Sequence, residues 1–160
     1  MPSSEAFQQA QRHLEAYLAQ QRLRRTAERT HILRAIYEEL THFDAETLYM
    51  HLLKKGLKVS RATVYNTLEL FLACGLVRRY SFYEGRMVYE RSLGRQQHDH
   101  LICLDCGFIQ EFCDPQVGFV LQGIERLFRM QAVRHDLVIY ARCTDALCPH
   151  RPKVYTFAEK

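Results

Sequence analysis

The side chains with most chemistry to offer are the six cysteines and eight histidines in a chain of 160 residues, and they cluster. Cys103 and Cys106 form a C-x-x-C pair, and Cys143 and Cys148 form a C-x-x-x-x-C pair. Two close pairs are the pattern of metal ligands, because zinc is satisfied by four thiolates in a tetrahedron. Cys103 and Cys106 straddle a turn, so both sulfurs can reach one ion. Cys143 and Cys148 can do the same at the end of a later strand. The 36 residues between the pairs (107–142) are filled by a helix and a strand, so a structural zinc would tie the end of a sheet to its beginning. A thioredoxin-type redox pair needs a helix directly after the motif, and none is predicted there. Cys74 and Cys113 read as ordinary core or surface residues.

A second group is built from histidine and carboxylate. His98-Asp99-His100 falls on a predicted strand, where a period of two sends both imidazoles to one face and Asp99 to the other. Alone, the H-x-H leaves ligation and coincidence both open. Three further residues extend it: Glu111 on the adjacent strand, Glu90 at the end of a hairpin, and His42 between two helices. Three imidazoles and two carboxylates suit a five- or six-coordinate first-row metal such as Fe2+, Mn2+ or Co2+ better than a closed structural zinc.

The elements that must position these groups fall into two halves. Residues 5–20 place Phe7, Ala10, Leu14, Tyr17 and Leu18 on one helical face. Thr26 is the N-cap of a second helix carrying Ile32, Leu33, Ile36, Tyr37 and Leu40. Asp44 caps a third, which stops at Lys54-Lys55-Gly56. Ser60 opens a fourth, whose buried face is Val64, Leu68, Phe71 and Leu72 and which Gly75 closes. Its other side carries Thr63, Tyr65 and Asn66, with Arg61 in the first turn. Two β-prone runs, 76–82 and 86–90, joined by Tyr83-Glu84-Gly85, make a hairpin. That order is a winged helix-turn-helix. After a hinge over 91–97, strands are predicted at 98–103 and 108–112. A helix capped by Asp114-Pro115 follows, with a stripe of Val117, Val120, Leu121, Ile124, Leu127 and Phe128. The longest strand of this half is predicted over 133–142. A β-β-α-β unit this short is expected to need a metal or a partner subunit as a staple.

Charge follows the same division. Residues 1–91 hold 14 Lys and Arg against 10 Asp and Glu, and residues 92–160 hold 8 of each. Arg22, Arg24, Arg25 and Arg29 concentrate the excess, which points to a polyanion as readily as to a solvated face. No apolar run approaches the roughly 18 residues of a membrane span, and Met1-Pro2-Ser3-Ser4-Glu5 is polar, so a cytoplasmic protein is expected. A zinc hydrolase could use His98, His100 and a carboxylate, but no H-E-x-x-H occurs, nor the deaminase signature. A non-enzymatic role is expected.

The run His98-Asp99-His100-Leu101-Ile102-Cys103-Leu104-Asp105-Cys106-Gly107, with Ala62-Thr63-Val64-Tyr65 upstream and Cys143…Cys148 downstream, closely resembles the ferric uptake regulator (Fur) family. The resemblance runs from about residue 20 to 148. It implies an α+β chain: a winged helix-turn-helix DNA-binding domain (1–90), a hinge (91–97), a small α/β dimerisation and metal-binding domain (98–148) and a tail (149–160). It implies a homodimeric repressor on a double-stranded DNA operator, with no membrane and no organic substrate. Cys103, Cys106, Cys143 and Cys148 match the structural zinc site. His42, Glu90, His98, His100 and Glu111 match the regulatory metal ligands. Tyr65 matches a base-contacting residue, with Arg61 and Thr63 beside it on the recognition helix, and Arg24 matches a minor-groove position. A further metal site of many members would fall on Gln97, Asp99, Gly118 and His135. Gly118 has no ligand and Gln97 is a poor one, so that site is expected to be absent or weak. Glu at positions 90 and 111, and no cysteine between Gly75 and Ile102, favour the iron-sensing branch over zinc- and peroxide-sensing relatives, and leave a manganese sensor open.

Overall fold

The computed structural model describes residues 4–81 and 87–144. The predicted turn Tyr83-Glu84-Gly85, Cys148 and the tail over 149–160 lie outside the described residues. The chain divides into two compact units, Met1–Arg95 and Gln96–Lys160.

The first unit is helical around one core. Helix α1 (Glu5–Gln20) starts at Ser4, whose side chain accepts from the Phe7 N–H. It buries Phe7, Ala10, Leu14 and Leu18 against α2 (Ala27–Glu38). Burying a side chain of that size is worth about 1.5–3 kcal/mol, so α1 belongs to the core rather than decorating it. Thr26 caps α2 through Arg29 N–H, Asp44 caps α3 (Ala45–Lys54) through Thr47 N–H, and Ser60 caps α4 (Arg61–Ala73) through Thr63 N–H. Gly56 and Gly75, at φ of +77° and +72°, take the left-handed turns that end α3 and α4. Cys74 is the buried C-cap of α4 and does not continue that helix.

Three strands complete the unit in the order β1-β3-β2, all antiparallel: β1 (His42–Phe43), β2 (Val77–Ser81) and β3 (Met87–Arg91). β2 and β3 are the expected hairpin. The two-residue β1 was not foreseen, and it sets His42 directly opposite Glu90. Tyr37 pins the chain leaving β3. Its hydroxyl donates to Leu76 O at 2.7 Å and accepts from Leu93 N–H, and burial pushes its pKa up to about 12.

The second unit is a three-stranded sheet with one helix. β4 (Asp99–Cys103) is central, antiparallel to β5 (Ile109–Phe112) and parallel to β6 (Val138–Ala141). The parallel pairing requires a crossover, which includes α5 (Pro115–Phe128), capped by Asp114 with Pro115 at its start. The strand expected over 133–142 shrinks to Val138–Ala141. β4 offers a partner only from His100 to Cys103, and upstream Arg134 pairs with Asp136 while His135 turns toward Asp99. Of the predicted α5 stripe, no residue is buried: Val120, Leu127 and Phe128 are 60%, 75% and 62% exposed.

Candidate metal centres and nucleic-acid face

Three of the four expected cysteines, Cys103, Cys106 and Cys143, come together. Cys103 ends β4, and the following turn closes with Gly107 N–H donating to Cys103 O, at a φ of +71° on Gly107. Cys103 Sγ lies 3.2 Å from Cys143 Sγ, which is 3.7 Å from Cys106 Sγ. Neither distance is a disulfide bond. Around a tetrahedral zinc with bonds of about 2.3 Å, sulfurs stand roughly 3.8 Å apart, so the spacing fits that ion. The hydrogen bond with Cys143 pulls the Cys103 thiol down to about 7, which favours the thiolate that zinc requires. Asp105 was not foreseen as a positioning residue: Oδ2 accepts from Cys143 N–H at 2.9 Å and Oδ1 from Arg142 at 2.8 Å. It thereby fixes the end of β6 beside the C-x-x-C turn. The fourth expected ligand, Cys148, is outside the described residues.

Each unit holds a pair of nitrogen and oxygen donors. In the first, His42 Nε2 lies 3.5 Å from Glu90 Oε2. Glu90 is fully buried, and Tyr80 donates to its Oε1 at 2.8 Å. Burial first, then the bond to Glu90, raises the Tyr80 pKa and keeps that hydroxyl a donor. In the second, His100 on β4 is the cross-strand partner of Glu111 on β5, and the His98 and His100 rings sit 4.8 Å apart, edge to face. His98 Nδ1 is 2.9 Å from Gln96 O, so Nδ1 carries the proton and the ring lone pair is on Nε2. Asp99 occupies the opposite face, as the strand period demands. Its Oδ1 is buried and 3.2 Å from His135 Nε2, close enough for an ion pair but without hydrogen-bond geometry. Gln97 Nε2 donates to His135 O rather than joining that pair.

On the exposed side of α4, Tyr65 is half exposed and Thr63 bonds the Ser60 hydroxyl at 2.8 Å. Arg61 is held in place: its guanidinium forks onto Glu46 at 2.7 and 3.0 Å and lies over the Tyr49 ring. Arg24 supplies its carbonyl to the Arg29 guanidinium, and Arg25 pairs with Glu15 at 2.8 Å.

The ferric uptake regulator family model matches residues 20–140. The chain belongs to that family. Its sequence is 41% identical over 117 residues to the ferric uptake regulation protein of Cupriavidus metallidurans, spanning 72% of this chain and 80% of that protein. Its fold matches the crystal structure of the Vibrio cholerae ferric uptake regulator with a TM-score of 0.71 and 36% identity, over 80% of this chain and 98% of that one. It also matches the Pseudomonas aeruginosa ferric uptake regulator with manganese, with a TM-score of 0.70 and 34% identity, over 82% of this chain and 98% of that one. The α+β class and the winged-helix unit agree with these Fur structures. No described helix is long and apolar enough to cross a membrane.

Proposed function

We propose that this Fur-family chain is a metal-responsive transcriptional repressor, binding a double-stranded DNA operator as a homodimer, with Fe2+ as its regulatory metal. The observation that carries the reading is the pair of half-sites. His42 and Glu90 are preassembled in one unit, His98, His100 and Glu111 in the other, and only the segment after β3 separates them in sequence. These five side chains would hold the regulatory ion, and Cys103, Cys106, Cys143 and Cys148 the structural zinc. A bound divalent cation supplies the positive charge that all five regulatory donors share.

The chain's own residues do the rest. The β1–β3 pairing aims His42 and Glu90 together, so the first unit answers as one body. The connection around Arg95 and Gln96, where the units divide, sets the range of arrangements they sample. Drawing both half-sites to one ion narrows that range, with coupling typically ~1–3 kcal/mol. In a two-fold dimer the two α4 helices then meet successive major grooves. Tyr65 packs on a thymine methyl, Thr63 and Arg61 meet nearby base edges and phosphates, and Arg24 and its neighbours add the salt-dependent backbone contacts. The apolar stripe of α5, with Val120, Leu127 and Phe128, is the surface a second copy would cover.

Nitrogen and oxygen donors without thiolate do not separate Fe2+ from Mn2+, and the manganese-bound P. aeruginosa relative makes manganese the second reading. The test is anaerobic DNA binding by zinc-loaded protein to an operator of the Fur family, titrated separately with Fe2+, Mn2+ and Zn2+. Activation by Fe2+, lost in His42→Ala with zinc content intact, is expected. Tight binding that needs no added metal and survives a chelator sparing the cysteine site would refute the switch. Leu127→Asp should give monomers by light scattering; a dimer that persists would move the interface elsewhere.

A further inference from the structure

Arg95 has no place in the ligand set, yet its position is unusual. Its guanidinium lies 3.4 Å from Glu90 Oε2, and its side chain is only 17% exposed. The same oxygen is the one 3.5 Å from His42 Nε2. The other carboxylate oxygen is committed to Tyr80. So the Glu90 oxygen that pairs with His42 also faces a cation that cannot shed its proton.

Two consequences follow from charge alone. A carboxylate buried as fully as Glu90 is costly without a counter-charge, and Arg95 supplies it. A dication approaching Oε2 must compete with the guanidinium for that oxygen and also meets like-charge repulsion in a partly buried setting, where screening is weak. We propose that Arg95 is a built-in counter-ion of the regulatory site, neutralising Glu90 when no metal is held and setting the metal concentration at which the site fills. The inference rests on the regulatory role proposed above for His42 and Glu90. It assigns Arg95 as an affinity-setting residue, not a ligand.

The experiment uses the full-length, zinc-loaded protein and Mn2+ as an air-stable probe, titrated in competition with a chromophoric chelator. Arg95→Ala and the larger, uncharged Arg95→Gln are expected to bind Mn2+ on the order of 10- to 100-fold more tightly than wild type, the range over which groups touching a metal's ligands move its affinity. Arg95→Lys, which keeps the charge, is expected to stay close to wild type. In a Glu90→Gln background, the effect of removing Arg95 should shrink to the like-charge repulsion alone, because the carboxylate for which the guanidinium competes is gone. Zinc content and the thermal transition identify any variant that fails to fold, and the Gln variant then carries the comparison. Unchanged or weaker Mn2+ binding in folded Arg95 variants overturns the proposal while leaving the repressor reading intact. Failure of wild type and variants alike to take up any ion beyond the cysteine site overturns both.

Discussion

The two units of this chain reach order by different means. The first buries a continuous core from Phe7 on α1 through Ile32, Leu33 and Ile36 on α2 to Leu68 and Phe71 on α4. In the second, Ile102 is the one buried hydrophobic residue among those described, and the other buried side chains are His98, Asp99 and His100. Its helix turns Phe119, Leu127 and Phe128 outward. Apolar burial is enough to specify the first unit. A sheet of three short strands beside an unburied helix is too small a source of hydrophobic stability, and such units depend on an ion or a partner. The chain thus joins a self-sufficient unit, which carries the proposed DNA face and half of the proposed regulatory site, to a conditional one.

The sharpest way to break this contrast is to remove zinc, by chelation or by Cys103→Ser. Structural zinc contributes binding free energy on the order of 10 kcal/mol. The second unit should lose its protection in segment-resolved hydrogen exchange, and the dimer with it, while α1–α4 stay protected. Equal loss in both units would show that they stand or fall together. Phe71→Ala attacks the other side. It should cost about 3–5 kcal/mol in the first unit's thermal or denaturant transition, with zinc content unchanged. A smaller, local effect is expected from the caps: Thr26→Ala should cost about 1 kcal/mol in the first unit, and Asp114→Ala a similar amount confined to the second. Seeing either loss in the opposite unit would blur the division.

Acid gives the gentlest separation. The folded cluster holds Cys103 at about 7, below its ordinary 9.0. A lowered thiol value stabilises the assembled state fully above the ordinary value, and that contribution fades as pH falls through the folded one. Protons compete with zinc for these thiolates, so zinc, measured by a chromogenic indicator, should leave in acid while helical signal from the first unit persists. Zinc lost already at pH values above 7 would contradict the low thiol.

Much of this was legible in the sequence because the signals are local. Thr26, Asp44, Ser60 and Asp114 all cap the helices that follow them, since a cap is a relation over three residues. The cysteine cluster was legible because two residues across a turn can only converge. What escaped is long-range or too short for a period. β1 has two residues, and only its partner β3 defines it. Strand-like residues at 133–136 lie beyond the pairing with β4, which begins where His100 N–H donates to Leu137 O. Tyr80 and Arg95 reach Glu90, and Asp105 reaches Cys143, through contacts that no spacing rule announces.

Strand β4 carries a last consequence. In five residues it presents Asp99 to one face, His100 to the other, and ends on Cys103, with neighbours bonded along both edges. A slip of one residue against either neighbour would turn each donor to the wrong side. Both sites would vanish together. On the proposed reading, a copy that folds out of register is therefore mute rather than misinformed, because it forfeits the ion that steadies its structure along with the ion it is meant to read.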